Sequence, residues 1–147
     1  MSRLMTAVAR GTVITVDDEA DILDVMNCCL RKAGLEVHGA SSYDELIMYV
    51  HELHCDVIVM DICMSDRDGI WVAEKLRAES IRTPIVFVSG FDTPEVRLRA
   101  SLISQTRFVR KPFDPEEFVD AVLAFMRGKP DSAHENIPGR ASKPNLT

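Results

Sequence analysis

The run Asp56-Val57-Ile58-Val59-Met60, closed by Asp61, decides the fold of this chain. Its four central residues are apolar without interruption and include three β-branched side chains. A strand with one wet face would alternate apolar with polar; an unbroken run marks a parallel strand covered on both faces. Two more runs read the same way: Thr12-Val13-Ile14-Thr15-Val16, ending at Asp17-Asp18, and Pro84-Ile85-Val86-Phe87-Val88, ending at Ser89-Gly90. Two weaker runs complete the set, Leu35–Ala40 and Arg107–Arg110, the latter ending at Lys111-Pro112.

Between the runs apolar residues recur at helical spacing. The stripes are Ile22, Met26, Cys29, Leu30 and Ala33; Leu46, Ile47, Val50 and Leu53; Ile70, Ala73 and Leu76; Val96, Ala100 and Ile103; and Phe118, Val122, Phe125 and Met126. Gly34 stops the first helix. Ser41 or Ser42 caps the second and Thr93-Pro94 opens the fourth, while Asp114-Pro115-Glu116-Glu117 opens the fifth. Strict strand–helix alternation implies an α/β fold, a doubly wound parallel sheet with helices on both faces. We expect one domain over residues 11–127, an extension over 1–10, and a flexible tail over 128–147, where prolines appear and apolar residues thin out.

Composition narrows the function. The chain has 147 residues and a formal net charge of −6, with no basic cluster of the kind a nucleic-acid surface requires. No apolar stretch reaches membrane-spanning length, and Met1–Arg10 lacks a signal-peptide core. The four cysteines, Cys28, Cys29, Cys55 and Cys63, form no C-x-x-C pair and no disulfide framework. The cytoplasm is the expected location. His51, His54, Cys55 and Cys63 have no standard zinc spacing and read as surface histidines and small packed cysteines.

Asp17-Asp18, Asp61, Ser89 and Lys111 each stand just past the carboxyl end of a different strand. In an open parallel sheet that edge carries the ligand crevice, so residues far apart in sequence converge there. Clustered carboxylates repel one another, and a divalent cation relieves the repulsion. Hard oxygen donors suit Mg2+. A lysine supplies fixed positive charge for an anion such as phosphate, and a hydroxyl beside glycine can bond it without crowding. An aspartate can serve as nucleophile and form an acyl phosphate.

With those motifs in order, the chain resembles the receiver domain of two-component response regulators. The motifs are Asp17-Asp18, Asp61-Ile62-Cys63-Met64-Ser65-Asp66-Arg67-Asp68-Gly69, Ser89-Gly90 and Lys111-Pro112-Phe113. The resemblance implies a flavodoxin-like five-stranded sheet of order 2-1-3-4-5 with five helices. It implies phosphoryl acceptance on Asp61 from a sensor histidine kinase or histidine phosphotransfer protein. It implies Mg2+ held by Asp17, Asp18, Asp61 and the Cys63 backbone carbonyl. Lys111 and Ser89 would hold the phosphoryl group, and Phe108 would turn inward as an aromatic switch. The changed surface would be the fourth helix, fifth strand and fifth helix, presented by a stand-alone regulator.

The departures carry expectations of their own. Ser65 replaces a usual proline and should loosen its loop. Arg67 replaces an apolar residue and has phosphate, a partner or Asp66 within reach. Ser104-Gln105 replaces a Gly-Ala pair, which leaves the end of the fourth helix open. Phe108 lacks a tyrosine's hydroxyl. Cys63 and Phe91, each two residues past a site residue, are expected to shield the acyl phosphate from water. Trp71 reads as packing or a partly exposed ring. Leu98 and Leu102, off the buried stripe, read as scattered surface leucine or as a partner or homodimer surface. Two other functions stay open: a phosphate-independent binding module, and an aspartyl-nucleophile phosphatase, which Cys63 at the general-acid position disfavours.

Overall fold

The computed structural model describes residues 10–64 and 67–127. The expected extension and tail, and Ser65 and Asp66, lie outside the described residues apart from Arg10. Five strands and five helices alternate: β1 Thr12–Val16, α1 Ala20–Lys32, β2 Glu36–Ala40, α2 Tyr43–Glu52, β3 Val57–Asp61, α3 Gly69–Ala78, β4 Ile85–Ser89, α4 Pro94–Ser101, β5 Thr106–Arg110 and α5 Pro115–Met126. The sheet is parallel throughout, with order β2-β1-β3-β4-β5. This is the flavodoxin-like arrangement expected from the motifs.

Register explains why the apolar runs are unbroken. Val13 pairs with Val57 and Ile14 with Ile58 across β1 and β3. Ile14, Val16, Ile58, Met60, Ile85 and Phe87 point to one face, where Tyr43, Leu46, Ile70, Leu76 and Ala100 cover them. Val13, Val57, Val59, Val86 and Val88 point to the other, under Met26, Leu30, Phe118, Val122 and Phe125. Each large side chain buried this way contributes about 1.5–3 kcal/mol of transfer free energy.

The helix starts follow local chemistry. Ser42, rather than Ser41, accepts from the Glu45 N–H at 3.2 Å, and the Glu45 carboxylate reaches back to the Ser41 N–H at 2.7 Å. Asp68, Thr93 and Asp114 accept from the N–H groups of Ile70, Val96 and Glu117. Each such bond satisfies a donor that the first helical turn leaves orphaned.

The boundaries differ from the sequence reading by a residue or two at several ends. Asp61 and Ser89 are the last residues of β3 and β4, not the residues after them. β5 begins one residue earlier, at Thr106, whose hydroxyl bonds the Ala100 and Ile103 carbonyls at 3.0 Å each. α4 stops at Ser101, so Ile103 packs from the loop rather than from the helix. Gln105 closes that loop with φ of 57°, and its carbonyl joins those of Ile81, Thr83 and Ser104 around the Arg77 guanidinium. Burial, with a smaller contribution from Arg82, lowers the Arg77 pKa to about 10.

Candidate functional site

The loops that follow β1, β3, β4 and β5 meet at one edge of the sheet. Asp17 is fully buried and Asp61 is 5% exposed, whereas Asp18 faces solvent. Carboxylate oxygens of Asp17, Asp18 and Asp61 lie within 4.8 Å of one another. Lys111, the first residue past β5, sends its Nζ between them: 2.9 Å from Asp17 Oδ2 and 3.5 Å from Asp61 Oδ2. Glu19 Oε1 stands 3.9 Å from the same ammonium. The Lys111 N–H also donates to the Ser89 carbonyl at 2.9 Å, which sets the lysine beside the end of β4. The Lys111–Pro112 peptide bond is cis.

The electrostatics are unbalanced toward negative charge. Burial, together with the neighbouring Asp17, pushes the Asp61 carboxyl up to about 6, against the lowering pull of Lys111 and of the Cys63 N–H. Burial lowers the Lys111 pKa, but Asp17, Asp61 and Glu19 outweigh it and the net shift is upward. Three carboxylates with one ammonium leave the cluster short of positive charge. Hard oxygens within reach of one another, short of positive charge, fit a divalent cation of the Mg2+ class.

The Asp61 side chain is held by its own loop. Its Oδ1 accepts from the Cys63 N–H at 3.2 Å. Asp17 Oδ1 accepts from the Glu19 N–H at 2.9 Å, which turns the chain into α1. Ser89 is fully buried at the end of β4, and its Oγ accepts from the Phe91 N–H at 3.0 Å.

Tyr43, which no motif singled out, and Gly69, the last residue of the motif that begins at Asp61, fix the Asp61 backbone. The Tyr43 hydroxyl donates to the Asp61 carbonyl at 2.6 Å. Gly69 packs so tightly that a Cβ there would lie 2.6 Å from the Asp61 carbonyl oxygen and 2.9 Å from Ile62 Cα. The glycine was marked by its motif; nothing in the sequence marked the tyrosine's contact.

Other expected residues fall outside the charged cluster. Cys63 and Phe91 are both exposed. Burial, then Asp61 and Asp68, raise the Cys63 thiol pKa. Arg67 pairs with Asp44 at 3.4 Å, both side chains being exposed. Phe108 is 7% exposed and packs in the core beneath the Arg97 guanidinium, whose carbon lies 4.3 Å from the ring centroid. The inward turn expected of Phe108 therefore has no exposed ring to start from in this structure. Trp71 is half-exposed with the Lys75 ammonium 5.7 Å from its ring. Leu98 and Leu102 are 61% and 76% exposed. No helix among the described residues is long and apolar enough to cross a membrane.

A doubly wound parallel sheet with an acidic cluster and a bridging lysine at its carboxyl edge is the arrangement that the receiver-domain resemblance implies. The sequence pattern of the response regulator receiver domain matches residues 13–123, and the chain belongs to that family. It is 30% identical over 113 residues to the regulatory protein AtoC of Escherichia coli (strain K12), covering 77% of this chain and 24% of that protein. It is 28% identical over 128 residues to the response regulator protein TmoT of Ectopseudomonas mendocina, covering 87% of this chain and 58% of that protein. The chain thus spans less than two thirds of the length of these curated relatives. Among solved structures, the chemotaxis protein CheY4 of Vibrio cholerae superimposes with TM-score 0.74 at 27% identity, over 80% of this chain and 99% of that one. The Francisella response regulator 1452 receiver domain gives TM-score 0.74 at 26% identity, over 80% and 98%.

Proposed function

We propose that the chain accepts a phosphoryl group on Asp61 from a histidine kinase or histidine phosphotransfer protein and switches a protein-binding face in response. The observation that carries this reading is the Lys111 ammonium poised between Asp17 and Asp61. A lysine so placed can leave one carboxylate to pair with an incoming phosphoryl oxygen.

An Asp61 carboxylate oxygen attacks phosphorus in line with the donor imidazole nitrogen. The O–P bond forms as the N–P bond breaks, and the bonding pair stays on nitrogen. Positioning and charge neutralisation supply most of the rate. Asp17, Asp18, Asp61 and the Cys63 carbonyl would hold Mg2+, which when bound offsets the charge gathering on the phosphoryl oxygens. Lys111 holds one of those oxygens and the Ser89 hydroxyl turns to donate to another. Ser89 carries its loop with it, and the change reaches α4, β5 and α5, where Leu98 and Leu102 await a protein partner or a second copy. Cys63 and Phe91 flank the acyl phosphate and slow its loss to water.

Intact mass after incubation with acetyl phosphate and Mg2+ tests the reading. One phosphoryl adduct on wild type, absent from Asp61→Asn and lost on adding EDTA to the reaction mixture, is the expected result. An equal adduct on Asp61→Asn would remove Asp61 from the role. Faster adduct decay in Phe91→Ala and Cys63→Asn is expected from the shielding role, and unchanged decay in both would end it.

A further inference from the structure

α4 is poorly held by apolar packing. Of its eight residues only Ala100 is buried. Arginines tie it down instead, and they tie it to the two loops that carry site residues. Arg97 makes a two-pronged pair with Asp92: Nε bonds Oδ1, and Nη2 bonds Oδ2 at 3.3 Å. Both side chains are three-quarters covered. Arg110, next to Lys111 on β5, holds the same Asp92 carboxylate from 3.8 Å. Arg99 reaches Asp68, the cap of α3 in the loop after Asp61, at 3.0 Å.

Asp92 lies three residues past Ser89 in the loop from β4 to α4, and the Ser89 Oγ already holds the Phe91 N–H. Any shift of Ser89 toward Asp61 therefore pulls on Asp92. Asp92 in turn holds Arg97, and Arg97 lies over the Phe108 ring. The side of the domain around Asp92, Arg97, Phe108 and Arg110 is concave, so a released arginine has room to swing. Phe108 has no hydroxyl with which to hold a position of its own; the guanidinium over its face supplies a cation–π contact instead.

We infer that Asp92 and Arg97 form a latch that positions Ser89 and Phe108 in the resting state and must give way when the loop closes on a phosphoryl group. The inference rests on the phosphoacceptor reading and adds to it the group that opposes switching. Arg97 and Asp92 act here as positioning residues. Opening the latch frees a guanidinium and the room over the Phe108 ring on the face formed by α4 and β5, which joins occupancy at Asp61 to a change of surface.

The test uses the full chain with beryllium fluoride and Mg2+ as phosphoryl analogue, with affinity read by calorimetry. Variants are Asp92→Asn and Arg97→Gln. A latch that favours the resting state lowers analogue affinity, so both variants should bind about threefold to tenfold tighter, the range expected of a partly buried charged pair. Charge alone moves the two in opposite directions: loss of a carboxylate favours an anion and loss of a guanidinium disfavours it. The double variant should match the singles, and a Ser89→Ala background should erase the gain. Unchanged or weaker binding in either single variant overturns the latch.

A second arm needs no analogue. With 4-fluorophenylalanine at position 108, Asp92→Asn and Arg97→Gln should move the fluorine resonance of the unliganded chain the same way. A resonance that Asp92→Asn leaves at its wild-type position overturns the link between Asp92 and Phe108. No analogue binding in any protein, wild type included, counts against the phosphoacceptor reading, and the fluorine arm then decides the latch by itself.

Discussion

Replacing Asp61 with asparagine should stabilise the unliganded chain at neutral pH. In the folded state burial and Asp17 hold the Asp61 carboxyl at about 6, against an ordinary value of 3.8. Folding therefore raises this pKa, the reverse of the usual stabilising carboxylate. Between 3.8 and about 6 the folded state binds more protons than the unfolded state, so stability falls as pH rises through that window. Above it the full cost of an ionised, buried Asp61 is present; below it the cost is gone. A difference of about 2 pH units at about 1.36 kcal/mol each gives about 3 kcal/mol as the ceiling. Asparagine keeps an oxygen for the Cys63 N–H, and Lys111 keeps Asp17, so about 1–3 kcal/mol of gain is expected above about pH 7. Urea denaturation of both proteins at about pH 7.5 and about pH 4, without divalent cation, measures it, and the subtraction cancels groups common to both. The gain should be present at the higher pH and nearly absent at the lower. Mg2+ should narrow the gap at neutral pH, because it binds the folded wild type more tightly than the variant and stabilises by mass action. A variant no more stable than wild type at about pH 7.5 would refute the claim that the site is short of positive charge.

Three further perturbations follow, two beside the Asp61 backbone and one at the opposite edge of the sheet. Tyr43→Phe removes the donor to the Asp61 carbonyl and leaves a buried acceptor with one fewer partner; about 1–2 kcal/mol should be lost in urea denaturation, with slower acceptance from acetyl phosphate. Gly69→Ala drives a methyl into the Asp61 carbonyl and Ile62, neither of which can rotate away, so about 2 kcal/mol or more should be lost by the same assay. Arg77→Ala strips four carbonyls of a shared donor and should cost about 2–4 kcal/mol, while acceptance at Asp61 per folded molecule stays as it was.

The sheet was legible because burial on both faces leaves a plain trace: Val57 to Met60 and Ile85 to Val88 are apolar at every position. β2 was faint because Glu36, His38 and Gly39 interrupt it at the sheet edge. The C-terminal end of α4 escaped because Ile103 keeps the helical spacing while its backbone does not, and because Gln105 adopts a left-handed conformation that glycine or asparagine would have announced. Asp17, Asp61, Ser89 and Lys111 could be placed from their positions at strand ends, and the structure brings them to one edge. Tyr43 could not be found that way, since its partner is a backbone carbonyl that leaves no mark in sequence. Arg97 and Asp92 were hidden for a related reason: one lies in a loop and the other in a helix, and their pairing depends on the turn between them. Phe108 was recognisable by position, but its cover by Arg97 depends on how α4 sits over β5.

The most direct measurement is chemical mapping of the phosphoryl group. The full chain is phosphorylated with acetyl phosphate and Mg2+, treated with borohydride, which reduces an acyl phosphate to the alcohol, and digested for peptide sequencing by mass spectrometry. Reduction at residue 61 and at no other carboxylate is the expected result. Reduction at Asp17 or Asp18 with Asp61 intact, or a stable phosphoester on Ser89, would contradict the assignment of Asp61 as the acceptor.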